Sequence, residues 1–271
     1  FIRTDITDTD NVIQARWDNV TDTRLCTVLS NKAGISVSTM EHLFSAFAAV
    51  GLDNAVIEID GPEVPIMDGS AIAFIEALRQ TGLSKQKALR RLLRIKKRVS
   101  YQEGDKEVCL TPAADTRFSF DIDFANKTVG RQTYSHRLYR DDYTRDIASA
   151  RTFGFLHEVE QLRKMGLARG GSLDNAVVID GDHVMNPGGL RFKDEFVRHK
   201  ILDAIGDLFL AGMGLMGHYH GIKAGHALNN KILHVLFSTP GAYEIVTLAD
   251  DVAVRAPVRL FTEADRTPVI A

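Results

Sequence analysis

The stretch 195–211 is the longest and best-patterned helical segment of the chain. Within its apolar rhythm, His199, Asp203 and Asp207 recur four residues apart. Residues at i, i+4 and i+8 fall on one face of a helix. An imidazole and a carboxylate one turn apart can reach a single Zn²⁺, and an acid one turn further on can support such a site from outside. The same spacing also describes a surface stripe of His and Asp, paired in part with Arg198 and Lys200. Spacing alone leaves both readings open.

The segments around this helix constrain the fold class. Residues 1–36 alternate short apolar stretches with Asp, Asn and Thr, and read as strands and turns. Ser38 followed by Glu41 has the form of a capping box, which predicts a helix running to Val50 and stopped by Gly51. Residues 54–60 read as a strand. Met67-Asp68-Gly69-Ser70 reads as a turn into a second helix, 71–81. The Lys- and Arg-rich run 83–98 reads as a solvated connector entering a strand, so a domain boundary is expected near residue 88. Strands are expected at 94–102, 107–111, 118–124, 130–135 and 176–180. A helical or irregular piece follows the fourth of these at 142–149, and then a short helix at 158–165. After the long helix, strands are expected near Gly221, at 231–238 and at 244–248. Strand groups alternating with helix pairs predict an α+β chain of two tandem domains, 1–88 and 89–271, each a β-sheet packed on a pair of helices.

The charge balance narrows the partners. Lys and Arg number 33 against 35 Asp and Glu, for a net charge of -2. This gives no general reason to expect nucleic acid or an anionic membrane. The best apolar run, 208–217, is about half of the ~20 residues a transmembrane helix needs. Cys26 and Cys109 are the only cysteines, in no metal-binding spacing. They favour a reducing compartment, and the expectation is a cytoplasmic, monomeric protein. The sequence opens at Phe1 on what reads as the end of a strand, so the first domain is expected to lack its beginning.

Four further constellations can carry chemistry. Glu41-His42 stands at the start of a predicted helix, where neighbours point ~100° apart and can border one cleft. A His ligand beside a Glu is how zinc hydrolases pair a metal ligand with a general base, although Glu41 could also serve only the helix cap. Gly225-His226-Ala227-Leu228-Asn229-Asn230 reads as a loop or strand end, with His226 free to face a cleft. His218-Tyr219-His220 puts two imidazoles on one side of a strand and rivals His199 and Asp203 as a metal pair. In Ala150-Arg151-Thr152-Phe153-Gly154-Phe155, the Thr152 hydroxyl could meet an oxyanion, and the two Phe could line an apolar groove or simply fill the core.

The stretches STMEHLFSAFAAVGLDN, EVPIMDGSA, ARTFGF, LRFKDEFVRHKILDAIGDLFLAG and GHALNN, in this order, resemble the UDP-3-O-acyl-N-acetylglucosamine deacetylase family over nearly the whole chain. The resemblance implies two tandem α+β domains with the active site between them. It implies one catalytic Zn²⁺ held by His42, His199 and Asp203, which ranks that set above His218 and His220. It implies Glu41 as general base, His226 as the group that protonates the leaving amine, Asp207 as the residue that orients His226, and Thr152 at the oxyanion. Lys200 and Lys223 match positions near a nucleotide diphosphate. Phe153, Phe155, Ala176 and Val178 match the surroundings of an acyl-chain passage, carried by an insert in the second domain, and Glu158 matches an acidic position near the sugar. The implied reaction removes the N-acetyl group of an acylated UDP-sugar, the committed step of lipid A synthesis. A fold that keeps ligand binding without chemistry is opposed by the intact set of acids and histidines. A common type of zinc peptidase is opposed by the absence of HExxH.

Overall fold

The computed structural model describes residues 1–164 and 170–247. Its elements in chain order are β1 (Ile2–Arg3), a 3-10 turn (Trp17–Asn19), β2 (Val20–Asp22), β3 (Val28–Ser30), β4 (Ser36–Ser38), α1 (Glu41–Val50), β5 (Glu58–Ile59) and α2 (Ile72–Thr81). Residues 82–90 carry no helix or strand. Then follow β6 (Arg91–Ile95), β7 (Val99–Glu103), β8 (Lys106–Thr111), β9 (Thr116–Asp123), β10 (Arg131–Arg137), a π-helical turn (Thr144–Ala148), β11 (Phe153–Phe155), α3 (Leu156–Lys164), β12 (Val177–Asp180) and β13 (His183–Val184). The last are α4 (Glu195–Phe209), β14 (Gly214–Ile222), α5 (His226–Ser238) and β15 (Tyr243–Thr247).

The large sheet is organised by β14. One edge runs parallel to β9, which pairs antiparallel with β10. The other edge is shared: Gly214, Leu215 and Met216 run parallel to β6, and His218 to Ile222 run antiparallel to β8. β7 and β15 complete the outer positions. Along β9, Phe118, Phe120 and Ile122 are buried while Arg117, Ser119 and Asp121 are not, the period-2 pattern of a sheet with one covered face. α4 and α5 pack on this sheet. In the first part of the chain, α1 and α2 accompany the small sheets β2-β3-β4 and β1-β5. The α+β class with helix pairs on sheets is therefore as expected. A third small sheet, β11-β12-β13, carries Phe153 and Phe155.

Several elements differ from the sequence reading. Residues 231–238 are not a strand but the second half of α5, with Ile232, Leu233 and Leu236 buried at helical spacing. The apolar density of that run hid its period, and a 13-residue helix from His226 is the continuous reading. His226 is thus the first residue of a helix and not part of a loop. Ser38 and Glu41 do not form a capping box. Ser38 ends β4 and its hydroxyl donates to the Pro62 carbonyl. The chain then turns at Thr39 in the left-handed region, φ 63°, and α1 starts without a side-chain cap. The strand expected at 94–102 is two strands, because the Lys96 and Lys97 N–H groups both turn to the Ala242 carbonyl. The strand expected at 54–60 shrinks to Glu58–Ile59, since its partner β1 offers two residues. The ends of the elements expected at 158–165 and 244–248 lie outside the described residues.

Buried apolar side chains form one continuous cluster through both parts of the chain. Phe44 and Phe47 of α1 meet Phe209 of α4, with ring centroids 5.6 and 6.4 Å apart. α1 and α4 are in backbone contact at Gly206, where an added Cβ would lie 1.9 Å from the Glu41 carbonyl oxygen. Only glycine allows that approach. Gly206→Ala must push α4 off the backbone of α1, and overpacking of this kind costs about 1–3 kcal/mol. The expected result is a midpoint several degrees lower in thermal denaturation.

His136 on β10 is buried, and neither ring nitrogen has a hydrogen-bond partner among the described residues. Burial pushes it down to about 4 from 6.5, against the pull of Asp141 and Asp146. Its folded-state value is depressed, so its neutral form contributes stability that is intact above 6.5 and lost as pH falls toward 4. Each unit corresponds to about 1.4 kcal/mol. Urea titrations between these limits should show a falling stability that His136→Leu flattens.

Candidate metal centre

The site forms where α1, α4 and the start of α5 converge. Glu41 and His42 open α1, His199, Asp203 and Asp207 descend one face of α4, and His226 opens α5. The helical spacing read from the sequence is what stacks the α4 residues. The contact at Gly206 brings the first turn of α1 against them.

His42, His199 and Asp203 are all buried, and one ligand atom from each lies within 4.8 Å of the others. His199 Nε2 is 3.2 Å and His42 Nε2 3.6 Å from Asp203 Oδ1. His199 Nδ1 donates to the Ala150 carbonyl at 3.1 Å, which leaves Nε2 as the lone-pair nitrogen facing the carboxylate. Burial lowers His199 to about 4, outweighing the opposing pull of Asp203, so the ring is neutral as a ligand must be. Asp203 Oδ1 is buried without a hydrogen-bond partner among the described residues. Two imidazole nitrogens thus converge on a carboxylate oxygen that no described residue satisfies, a gap that a cation between them would fill. This donor set fits a divalent metal ion of borderline softness.

The other Asp203 oxygen accepts from the Lys200 ammonium at 2.6 Å. Burial disfavours the Asp203 charge, but the Lys200 ammonium opposes it, and the carboxyl is held well below its usual range. Lys200 is raised in turn, burial being outweighed by Asp203.

A second set of groups borders the first. Asp207 Oδ2 accepts from His226 Nδ1 at 2.8 Å and from Asn229 Nδ2 at 2.8 Å. His226 Nε2 then lies 3.9 Å from Glu41 Oε1. Burial alone would suppress the imidazolium, but Asp207, then Glu41 and Asp203, raise His226 to about 9. Burial raises the Glu41 carboxyl as well, opposed first by His226. The α1 N-terminus favours a negative group at Glu41. The arrangement sets a carboxyl group and an imidazole side by side at the edge of a three-residue group that could hold a metal ion.

The family model for UDP-3-O-acyl N-acetylglycosamine deacetylase matches residues 1–238. The chain belongs to this family. Among its relatives, the UDP-3-O-acyl-N-acetylglucosamine deacetylase of Phenylobacterium zucineum is 49% identical over 253 residues, covering 93% of this chain and 86% of the relative. That of Myxococcus xanthus is 50% identical over 246 residues, 91% of this chain and 78% of the relative. That of Pasteurella multocida is 46% identical over 242 residues, 89% and 79% of the two chains. No helix among the described residues of this deacetylase-family chain is long and apolar enough to cross a membrane.

The remaining sequence candidates spread outward from this centre. Thr152 lies between Arg151, which is locked to Glu195, and Phe153, whose ring meets Phe196 and His199 at 4.9 and 6.4 Å. Phe153 and Phe155 gather round Phe124, with centroids 5.8 and 6.1 Å away. Val178 pairs with Gly154 across β11 and β12, and the Ala176 carbonyl next to it accepts from Asn186. Glu158 is exposed on α3. Lys223 adopts a left-handed φ of 51° and pairs with Asp105 and Asp123, outside the buried centre. Lys200 reaches inward to Asp203. His218 and His220 are not joined to the centre: they stack on each other, and bond to Ser119 and Asp121.

Sequence reasoning missed three supports of the site. Thr27 donates to Asp207 Oδ1 at 2.6 Å. Asn229, in turn, accepts from the Tyr219 hydroxyl at 2.5 Å. Glu195, wholly buried, accepts from the Arg151 guanidinium and from the Arg151 and Arg191 backbone N–H groups. It thereby ties the segment before Thr152 to the first turn of α4. Asn229 stood within GHALNN and Glu195 within LRFKDEFVRH, so motif membership was a signal for both; Thr27 had none.

The His226 ring should titrate near 9 when followed by NMR. Its value lies above 6.5, so the imidazolium–Asp207 interaction is fully present below 6.5 and is lost as pH rises through about 9. Asp207→Asn should bring the titration down by a unit or more. A ring already titrating near 6.5 in the unaltered protein would contradict the pairing.

Proposed function

We propose that the protein hydrolyses the N-acetyl group of UDP-3-O-acyl-N-acetylglucosamine, releasing acetate, with one Zn²⁺ held by His42, His199 and Asp203. The observation that carries this reading is the pairing of a buried carboxylate, Glu41, with a protonated His226 3.9 Å away at the edge of the ligand set. Amide hydrolysis needs both partners: a base for the water and an acid for the amine. A metal bound there supplies Lewis acidity and brings the pKa of a bound water toward ~7.

Glu41 takes a proton from the attacking water as its oxygen bonds to the acetyl carbon. Thr152 donates its hydroxyl hydrogen to the developing oxyanion, and the His226 imidazolium adds positive charge beside it. His226 is held at Nδ1 by Asp207, so Nε2 gives its proton to the nitrogen as the C–N bond breaks. The products are acetate and the free amine. Lys200 secures Asp203 as an anionic ligand while standing near the diphosphate, and Lys223 binds the diphosphate from the rim. The aromatic group of Phe153 and Phe155, with Ala176 and Val178, lines the passage for the acyl chain, and Glu158 faces the sugar. With a domain boundary near residue 88, the site lies between the two domains, α1 from one and α4 and α5 from the other.

Acetate release from the acylated UDP-sugar, with zinc content measured on the same preparation, tests the reading. Glu41→Ala should lower turnover by about 10²–10⁴-fold while zinc stays bound. His199→Ala should lose zinc and activity together. Each buried CH₂ contributes about 0.8 kcal/mol, so a substrate without the acyl chain should lose several kcal/mol in kcat/KM. Equal turnover of both substrates would remove the passage from the proposal.

A further inference from the structure

We infer that Thr27 is a positioning residue for this reaction, holding the Glu41 and Asp207 carboxylates in a fixed relation to each other and to His226. The inference rests on the deacetylase reading for what the two carboxylates do. Its geometry stands independently.

Thr27 immediately precedes β3 and is 2% exposed. Its hydroxyl donates to Asp207 Oδ1 at 2.6 Å. Its backbone N–H donates to Glu41 Oε2 at 3.3 Å. Its carbonyl accepts from the N–H of Thr39 at 3.1 Å, the residue whose left-handed turn launches α1. One residue just before β3 therefore grips the proton acceptor on α1 and the acid on α4 that orients the proton donor on α5. The contacts close a ring: Thr27 to Asp207, Asp207 to His226, His226 to Glu41, and Glu41 back to Thr27.

The ring answers a specific electrostatic difficulty. Glu41 and Asp207 are buried anions that face the same imidazolium. Each would draw His226 toward itself, and the two repel one another. Asp207 Oδ2 is already engaged by His226 and Asn229. Thr27 is the donor that meets Oδ1. With Oδ1 satisfied, the carboxylate cannot swing to share both oxygens with the ring, and His226 Nε2 stays directed at the cleft beside Glu41. Without that donor, Oδ1 is a buried acceptor left bare, and Asp207 rotates to relieve it. Thr27 hydrogen-bonds to none of the three candidate metal ligands, so its effect is exerted through Asp207 and Glu41.

Thr27→Val keeps the volume and removes the hydroxyl, whereas Thr27→Ser keeps the hydroxyl. In the zinc-loaded enzyme, Thr27→Val is expected to lower kcat by about 10–100-fold, the usual effect of losing an outer partner of a site. KM and zinc content should stay close to those of the parent, and Thr27→Ser should recover most of kcat. With nitrogen-labelled histidine, the Nδ1 proton of His226 should shift and exchange faster in Thr27→Val only. A Thr27→Val enzyme with parental kcat overturns the inference. So does an equal loss in both variants accompanied by a lower melting temperature, which would make Thr27 a packing residue. If the parent protein releases no acetate, the deacetylase reading fails, and the His226 proton signal alone decides: unchanged in Thr27→Val, it refutes the positioning role.

Discussion

The contact between Gly206 and the Glu41 carbonyl is the constraint on which the site depends. Two helices whose backbones touch have no room to slide or separate without opening a void or a clash. With α1 and α4 fixed in this way, the first turn of one helix lies across the stacked His199, Asp203 and Asp207 of the other. The phenylalanines beyond, Phe44, Phe47 and Phe209, fill the space behind the contact. The candidate metal pocket is thus a product of close helix packing, and the large sheet under α4 and α5 serves as the platform that keeps that packing rigid.

Such a site must also tolerate its own charge. Glu41, Asp203 and Asp207 are buried within a few side chains of one another. Buried anions survive only when cations and donors meet them. Lys200 answers Asp203, His226 answers Asp207 and leans toward Glu41, and Thr27 and Asn229 supply neutral donors. Asp203 Oδ1, buried without a hydrogen-bond donor among the described residues, is the oxygen toward which both candidate ligand imidazoles point. The balance of the network is therefore compatible with one further cation at that point. The same balance explains opposite proton affinities in neighbouring histidines: His199, near Lys200 and deeply buried, is held neutral, while His226, between two carboxylates, is held charged.

Reading the sequence succeeded where one element carried the whole signal. The period of α4 is strong enough to place His199, Asp203 and Asp207 on one face from their spacing alone. The alternation in β9 likewise shows directly as a strand. It failed where a local pattern had two physical meanings. Ser38 and Glu41 have the spacing of a capping box, yet Ser38 is drawn into a sheet by Pro62, and the Glu41 side chain is drawn to Thr27. The run at 231–238 is so rich in apolar residues that its helical period is obscured, and only its continuity with His226 reveals α5.

Legible along the chain were the inventory of polar groups and part of its local order: the acids and histidines of α1 and α4, their spacing, and the five ordered motifs that mark the family. Those are properties of neighbours in the sequence, set by backbone geometry. Which of these residues meet was settled only by folding in three dimensions. The motifs ranked His42, His199 and Asp203 above His218 and His220, but the inward turn of Lys200 and the part of Thr27 depend on contacts that the order of residues does not spell out, the latter between distant parts of the chain. Such contacts are selected by the packing of the complete core and by the need to satisfy every buried charge, and no local pattern encodes either.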